Sequence, residues 1–122
     1  DGVASFQSRA DLRAATERVT AQALNEMLAA DHPPLVVDVR TENEWRGGHI
    51  DGSLNLPLNQ LERRVAELPR DRRLVVHCQS GYRSSIAASL LAQAGFSDVQ
   101  DLVGGIAAWE ASKLPKVEAA TA

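Results

Sequence analysis

The sequence predicts an α/β fold in which helices cover both faces of a mainly parallel β-sheet. Short apolar runs rich in β-branched residues, which are typical of buried strands, occur at 35–39 and 74–78. Apolar residues at helical spacing follow the second run, as in Ile86, Leu90 and Leu91, and Gly95 ends that pattern. Because strands and helices alternate, each helix can connect two parallel strands across one face of the sheet.

The same signals place the other elements. Thr20 is a predicted N-cap, Asp31 begins a helix-breaking stretch, and Thr41 and Glu44 have the spacing of a capping box. We expect strands over 35–39, 53–56, 74–78 and 96–102. Between and around them we expect helices from Thr20 to about 30, shortly after Thr41, over 58–68, from Ser84 to Gly95, and from Gly105 to about 109.

Composition and charge exclude several classes of function. The 122 residues suit one domain, and 13 basic against 16 acidic residues give a net charge of −3 without a basic stripe. We therefore expect no nucleic-acid partner. No apolar run approaches the length of a membrane span and no signal peptide is visible, so we expect no membrane partner. A single cysteine excludes an internal disulfide and suits a reducing compartment, which predicts a cytoplasmic location.

The single cysteine lies between a predicted strand and a predicted helix. Cys78 ends the run 74–78, and Ser84 at the start of the helix can cap it or donate to the sulfur. The intervening residues, each with a backbone N–H group, are Gln79, Ser80, Gly81, Tyr82 and Arg83. Gly81 allows this loop to curl into an anion-binding nest at a helix N-terminus, and Arg83 adds a cation. A thiol there is expected to be largely thiolate near neutral pH, whereas an inert buried cysteine is the alternative.

Three motifs together resemble the rhodanese family of sulfurtransferases. They are Cys-Gln-Ser-Gly-Tyr-Arg at 78–83, similar to the family's active-site loop; Val-Val-Asp-Val-Arg at 36–40 with Glu44, Trp45 and the stretch 48–57, similar to its first signature; and Leu-Val-Gly-Gly-Ile-Ala-Ala-Trp at 102–109, similar to its C-terminal one. Their order makes the resemblance more specific than any one motif. It implies a rhodanese-like fold with about five strands.

The resemblance also suggests how the chain is divided. It covers residues 19–117, the expected rhodanese domain, and leaves 118–122 as a C-terminal tail. Residues 1–18 form an N-terminal extension or linker, of which 8–17 fit a helix equally well. Because the chain begins with Asp1 rather than Met, we expect a processed form or a domain of a larger protein.

The resemblance implies sulfur transfer by a covalent ping-pong reaction. The Cys78 thiolate would take sulfane sulfur from a donor such as thiosulfate, and the resulting persulfide would pass it to a thiol, to cyanide or to a protein acceptor. Neither a metal nor an organic cofactor is needed, and the three histidines lack metal-ligand spacing. Many family loops carry arginine directly after the cysteine, where this chain has Gln79. One cation fewer weakens binding of the thiosulfate dianion, so glutathione persulfide or a protein persulfide is an alternative donor.

Two other functions remain open. Tyrosine phosphatases and related dual-specificity phosphatases use a Cys-x5-Arg loop, and a phosphatase or arsenate reductase is one alternative because His77 precedes Cys78 as in those enzymes. Here the loop is Cys-x4-Arg, one residue shorter, and it contains no aspartate to act as the acid. The other alternative is a persulfide carrier or regulatory module within a larger protein.

Four polar residues outside the loop are candidate supporting residues. In the resembled family a carboxylate near position 44 lies close to the loop arginine, so we expect Glu44 to pair with Arg83. Asp38 and Arg40 are expected to form an ion pair or cap that supports the following turn. His49 is a candidate for acid–base chemistry, although a structural role in binding loop carbonyl groups is the better interpretation.

Overall fold

The computed structural model describes residues 16–118 and contains a five-stranded sheet in which every strand pairing is parallel. The strands are β1 (Thr16–Val19), β2 (Leu35–Asp38), β3 (Leu54–Asn55), β4 (Leu74–His77) and β5 (Val99–Leu102), in the order β1-β5-β4-β2-β3. The α/β class and the five-stranded parallel sheet are therefore confirmed. Cys78 directly follows β4, a central strand, and so lies at the carboxyl edge of the sheet.

Helices connect the strands. They are α1 (Ala21–Leu28), α2 (Glu42–Arg46), α3 (Leu61–Arg64), α4 (Tyr82–Gln93) and α5 (Gly105–Ala111), with 3₁₀ turns over Leu58–Gln60 and Val65–Glu67. The prediction of one helix over 58–68 is wrong, because Gln60 and Arg64 have φ angles of −110° and −109° that interrupt the helix. The predicted start of α4 at Ser84 is also late, since this helix begins at Tyr82.

Strand β1 was not predicted from the sequence. Residues 16–18 fell within the predicted extension, yet β1 pairs with β5 in register, with Val19 opposite Leu102. This edge strand buries Val19 and exposes Glu17 and Arg18, so it shows no apolar run. Its first two residues also correct the end of the helix proposed over 8–17, and the rest of that helix lies outside the described residues.

Alternate residues of the central strands pack on opposite faces of the sheet. Val36 and Val75 belong to a core cluster with α1 and α5, whereas Val37 and Val76 belong to a second cluster with α3 and α4. Trp109, only 2% exposed, packs in the first cluster. Helices therefore cover both faces, and Cys78 continues the alternation on the α4 side.

The N-terminus of α5 supports the loop after β4 from below. Gly105 has a φ of 61°, and a Cβ atom there would lie 2.5 Å from the carbonyl oxygen of Cys78. The backbone N–H groups of Ile106 and Ala107 donate to the carbonyl oxygens of Cys78 and Gln79, with N···O distances of 2.9 and 3.0 Å. Only glycine allows this approach, so Gly105 lets the N-terminus of α5 contact the loop directly.

Substitution of Gly105 by alanine is expected to destabilise the domain more than the same change at Gly52. Both glycines have positive φ angles, so each substitution costs about 1–2 kcal/mol from the backbone alone. A Cβ atom at Gly52 meets open space, whereas one at Gly105 collides with the loop. Urea unfolding of Gly105→Ala and Gly52→Ala measures the difference, and equal losses would show that the close contact is unimportant.

Candidate active site

The loop after β4 wraps around the sulfur of Cys78. Its curl depends on Gly81, whose φ of 133° is accessible to glycine, and the Gly81 backbone N–H donates to Sγ with an N···S distance of 3.1 Å. Ser84 lies in the first turn of α4, with its hydroxyl oxygen 3.7 Å from Sγ. The side chain of Cys78 is buried, so the donors of this loop and of the first turn of α4 lie next to the sulfur.

These donors lower the pKa of the Cys78 thiol. Burial is the largest single influence and raises the pKa, because it disfavours the charged thiolate. The backbone N–H and hydroxyl of Ser84, with the backbone N–H groups of Gly81 and Ser80, oppose it and bring the pKa below that of an ordinary thiol. The arrangement favours a nucleophilic thiolate over an inert buried cysteine.

The remaining loop residues form the rim of the site. Gln79 and Ser80 are exposed, and Tyr82, the first residue of α4, is 77% exposed. Arg83 is half-buried and turns away from the rim towards α2. The exposed part of the loop therefore presents uncharged side chains.

Glu44 and Arg83 form the predicted pair. Two parallel hydrogen bonds join the guanidinium to the carboxylate, at 2.9 and 3.1 Å. Glu44 is itself fixed by the predicted capping box, since the Thr41 backbone N–H donates to its carboxylate. The hydrogen bond from Arg83 is the main reason why the pKa of Glu44 falls from 4.5 to about 2, with burial opposing it and Thr41 contributing.

Asp38 and Arg40 form a buried ion pair behind the loop, as expected. Arg40 donates to both carboxylate oxygens of Asp38, with a shortest distance of 2.7 Å, and also to the carbonyl oxygen of Gly48. His77 lies on the same side, its Nε2 atom 3.6 Å from Asp38. Burial lowers the pKa of His77, with Asp38 opposing, so this ring is neutral and turned away from the sulfur.

His49 has structural contacts. Its Nδ1 atom lies 2.6 Å from the carbonyl oxygen of Trp45, and the two rings stack with centroids 3.8 Å apart. Its backbone forms an antiparallel bridge with Val117. These contacts support the structural interpretation over acid–base chemistry.

Asp101 is a polar residue of the site that the sequence interpretation missed. It lies on β5 and is 7% exposed, and the Ser84 hydroxyl donates to its Oδ1 atom at 2.6 Å. The available signal was a carboxylate at the carboxyl end of a buried strand. Asp101 reaches the site because β5 lies beside β4, with Val76 opposite Asp101. The sequence alone does not specify this order of strands.

Comparison with known proteins identifies the family. A model described as Rhodanese-like domain matches residues 20–112. The chain belongs to the rhodanese-like domain family. A sulfurtransferase of Allochromatium vinosum is 39% identical over 99 residues, which cover 81% of this chain and 92% of that protein. The thiosulfate sulfurtransferase GlpE of Shewanella oneidensis is 43% identical over 74 residues, 61% of this chain and 73% of that protein.

Comparison with solved structures supports the same family. The crystal structure of a rhodanese-related protein from Thermoplasma volcanium matches with a TM-score of 0.77 and 34% sequence identity, covering 83% of this chain and 97% of that one. The chain is therefore a transferase-family domain of the rhodanese-like type, and its sequence contains a single cysteine.

Residues 16–118 were compared with the requirements of a metal site and of a membrane-spanning helix. Within this range, no cluster of three or more histidine, cysteine or acidic side chains could hold a metal ion. None of its described helices has the length and apolar character needed to cross a membrane.

The pair between Glu44 and Arg83 is expected to stabilise the rhodanese-like domain in a pH-dependent way. Glu44→Gln removes the charge and lowers the free energy of unfolding at neutral pH by up to about 1 kcal/mol. Because folding lowers the pKa of Glu44 from 4.5 to about 2, the stabilisation is complete above pH 4.5 and is lost as the pH falls towards 2.

Urea unfolding at several pH values measures this difference. Glu42→Gln is the matched control, since the exposed Glu42 side chain lies on the same helix and faces Arg46 instead of the loop. A difference between wild type and Glu44→Gln that is independent of pH, or equal to that of the control, would contradict the expectation.

Proposed function

We propose that this domain transfers sulfane sulfur through a persulfide on Cys78. The donor is thiosulfate or a low-molecular-weight persulfide such as glutathione persulfide, and the acceptor is a thiol or cyanide. The observation that supports this most directly is the hydrogen bond from the Gly81 backbone N–H to Sγ at 3.1 Å, because it favours a thiolate nucleophile. The chemistry requires neither a metal nor an organic cofactor.

The reaction has two steps. The Cys78 thiolate attacks the sulfane sulfur, a new S–S bond forms, and the donor's own bond to that sulfur breaks with its electron pair going to sulfite or glutathione thiolate. The persulfide keeps one negative charge on its terminal sulfur, and the loop N–H groups that face Cys78 stabilise it. An acceptor thiolate or cyanide then attacks the terminal sulfur and regenerates the Cys78 thiolate.

The electrostatics favour a persulfide donor over thiosulfate. Arg83 is the only cationic residue of the loop 78–83, and the Glu44 carboxylate neutralises it at 2.9 Å. Position 79, the position after the cysteine at which the resembled family loops often carry arginine, is the uncharged Gln79. The thiosulfate dianion therefore finds little net positive potential at the rim, whereas a persulfide donor presents a single charge at its reacting end and loses less.

A groove beside Arg83 also suits an organic donor. It has a volume of about 330 Å³ and is lined by Val39, Thr41, Pro57, Leu58, Asn59 and Arg83. Most of these side chains are apolar or uncharged, and the one cation is paired with Glu44. We propose that the methylene groups of a glutathione persulfide contact this groove, a contact that thiosulfate, which has no carbon atoms, does not make.

A persulfide carrier that delivers sulfur to a protein acceptor is the second candidate. Tyr82 and Ile86 are exposed four residues apart on α4, next to the loop, and form an uncharged apolar surface at the entrance to Cys78. Slow turnover with small thiols but rapid transfer to a protein thiol would favour this role. For either role we propose a cytoplasmic domain over 16–117, which adds strand β1 to the predicted range of 19–117, without nucleic-acid or membrane partners.

Intact mass spectrometry tests the proposal. After incubation with thiosulfate or glutathione persulfide, the chain is expected to gain one sulfur atom that cyanide removes, and Cys78→Ser is expected to gain none. The extent of loading ranks the donors. No gain with either donor would contradict sulfur transfer, and an aryl phosphate hydrolysis assay would then test the phosphatase alternative.

Gln79→Arg is expected to lower the KM for thiosulfate by about twofold to fivefold, because it restores an exposed cation at the rim. The effect on the KM for glutathione persulfide is expected to be smaller, and added salt should reduce both effects. Gln93→Arg makes the same change at the exposed far end of α4 and serves as the control. An unchanged thiosulfate KM, or an equal decrease in the control, would contradict the electrostatic interpretation.

A further inference from the structure

A buried carboxyl group lies next to the cysteine loop and has no part in the reaction described above. Asp101 sits on β5, between Arg18 of β1 and Val76 of β4 in the strand register. Its side chain is almost completely buried, and its Oδ1 atom lies 2.6 Å from the Ser84 hydroxyl oxygen. This short contact connects the sheet to the first turn of α4.

Ser84 lies between this carboxyl group and the sulfur. Its hydroxyl oxygen is 2.6 Å from Asp101, 3.7 Å from Sγ of Cys78 and 3.2 Å from the carbonyl oxygen of Gly81. A serine hydroxyl has one hydrogen to donate. While Asp101 is ionised and takes that hydrogen, Ser84 has none for the sulfur and can only accept the S–H proton. The Ser84 hydroxyl therefore lowers the pKa of Cys78 only in the state in which Asp101 is protonated. Once Asp101 is protonated it donates to Ser84, and the hydroxyl hydrogen becomes free for the thiolate.

We propose that Asp101 is a positioning residue that exchanges a proton with Cys78 through the Ser84 hydroxyl. In the forward direction the S–H proton passes to the Ser84 oxygen, while the Ser84 proton passes to Oδ1 of Asp101. One S–H and one O–H bond break, two O–H bonds form, and the net charge of the three groups is unchanged. The products are a thiolate that accepts from Ser84 and a neutral carboxyl group that donates to Ser84.

The surroundings of Asp101 support the exchange. Burial, the largest influence, raises the pKa of Asp101, while Ser84 and the positive charge of Arg18 oppose it. Because the pKa of Cys78 is lowered, the two proton affinities approach each other and the proton moves at a smaller free-energy cost. The groups that act on Asp101 are Arg18 from β1 and Ser84 from α4, and Ser84 in turn contacts the thiol that follows β4.

The test measures the rate of Cys78 alkylation by iodoacetamide as a function of pH. Coupled groups titrate in two steps, so the wild-type profile is expected to show an acidic step in addition to the main one. Asp101→Asn removes the negative charge and can donate its amide N–H to Ser84. The acidic step is expected to disappear, and the pKa of Cys78 to fall by about one unit.

Two further variants make the result specific. Asp98→Asn makes the same substitution at an exposed carboxylate that pairs with Arg73, and the profile is expected to stay as in the wild type. Ser84→Ala removes the hydroxyl that connects Asp101 to Cys78, so the acidic step should vanish. The pKa of Cys78 in this variant should be higher than its pKa in Asp101→Asn. In the Ser84→Ala background, Asp101→Asn should shift the pKa by less than half its normal effect.

Retention of the wild-type profile in Asp101→Asn or Ser84→Ala would overturn the proposal. A loss of stability in Asp101→Asn without a change in the profile would also overturn it, because that outcome describes a purely structural residue. The proposal concerns the same cysteine as the proposed sulfur transfer and rests on it for its significance. Alkylation requires no sulfur donor, however, so a failure of proton exchange is distinguished from a failure of persulfide formation.

Discussion

A negative charge on a buried sulfur atom must be stabilised by hydrogen-bond donors, and in this domain the backbone supplies most of them. Cys78 follows a fully buried strand, where desolvation alone would keep the thiol protonated. A hydrogen bond to a charged group contributes about 1.5–3 kcal/mol, so several N–H groups converging on one atom can outweigh that cost. Their convergence requires the loop to keep its curl, and the neighbouring structure maintains it.

Two supports hold the loop from different sides. Beneath it, the N-terminus of α5 donates to the carbonyl groups of Cys78 and Gln79, which turns the N–H side of the loop towards the sulfur. Beside it, Glu44 fixes Arg83 in the first turn of α4 through two hydrogen bonds. The loop arginine thus has a structural partner, and the positive potential around the sulfur comes mainly from peptide dipoles.

The sequence predicted what depends on local chemistry. The apolar run before Cys78, the capping box of Thr41 and Glu44, and the turn at Gly81 are each encoded within a few residues, and the structure contains them. The partner of Arg83 came from the family resemblance, since 39 residues separate it from Glu44. The missed features depend on tertiary structure. Strand β1 gains its order only by pairing with β5, and Asp101 reaches Ser84 only because β5 lies beside β4.

The most direct test of thiolate stabilisation by the loop 78–83 compares the pKa of Cys78 in the folded domain with its pKa in the urea-unfolded chain. Ultraviolet absorbance of the thiolate, with Cys78→Ser as the blank, gives both values from the same single-cysteine protein. The structure predicts a lower pKa in the folded domain, because the loop donors stabilise the thiolate more than burial destabilises it. A folded-state pKa equal to or above the unfolded value would show that burial outweighs the loop donors. It would contradict the account in which these donors stabilise the Cys78 thiolate.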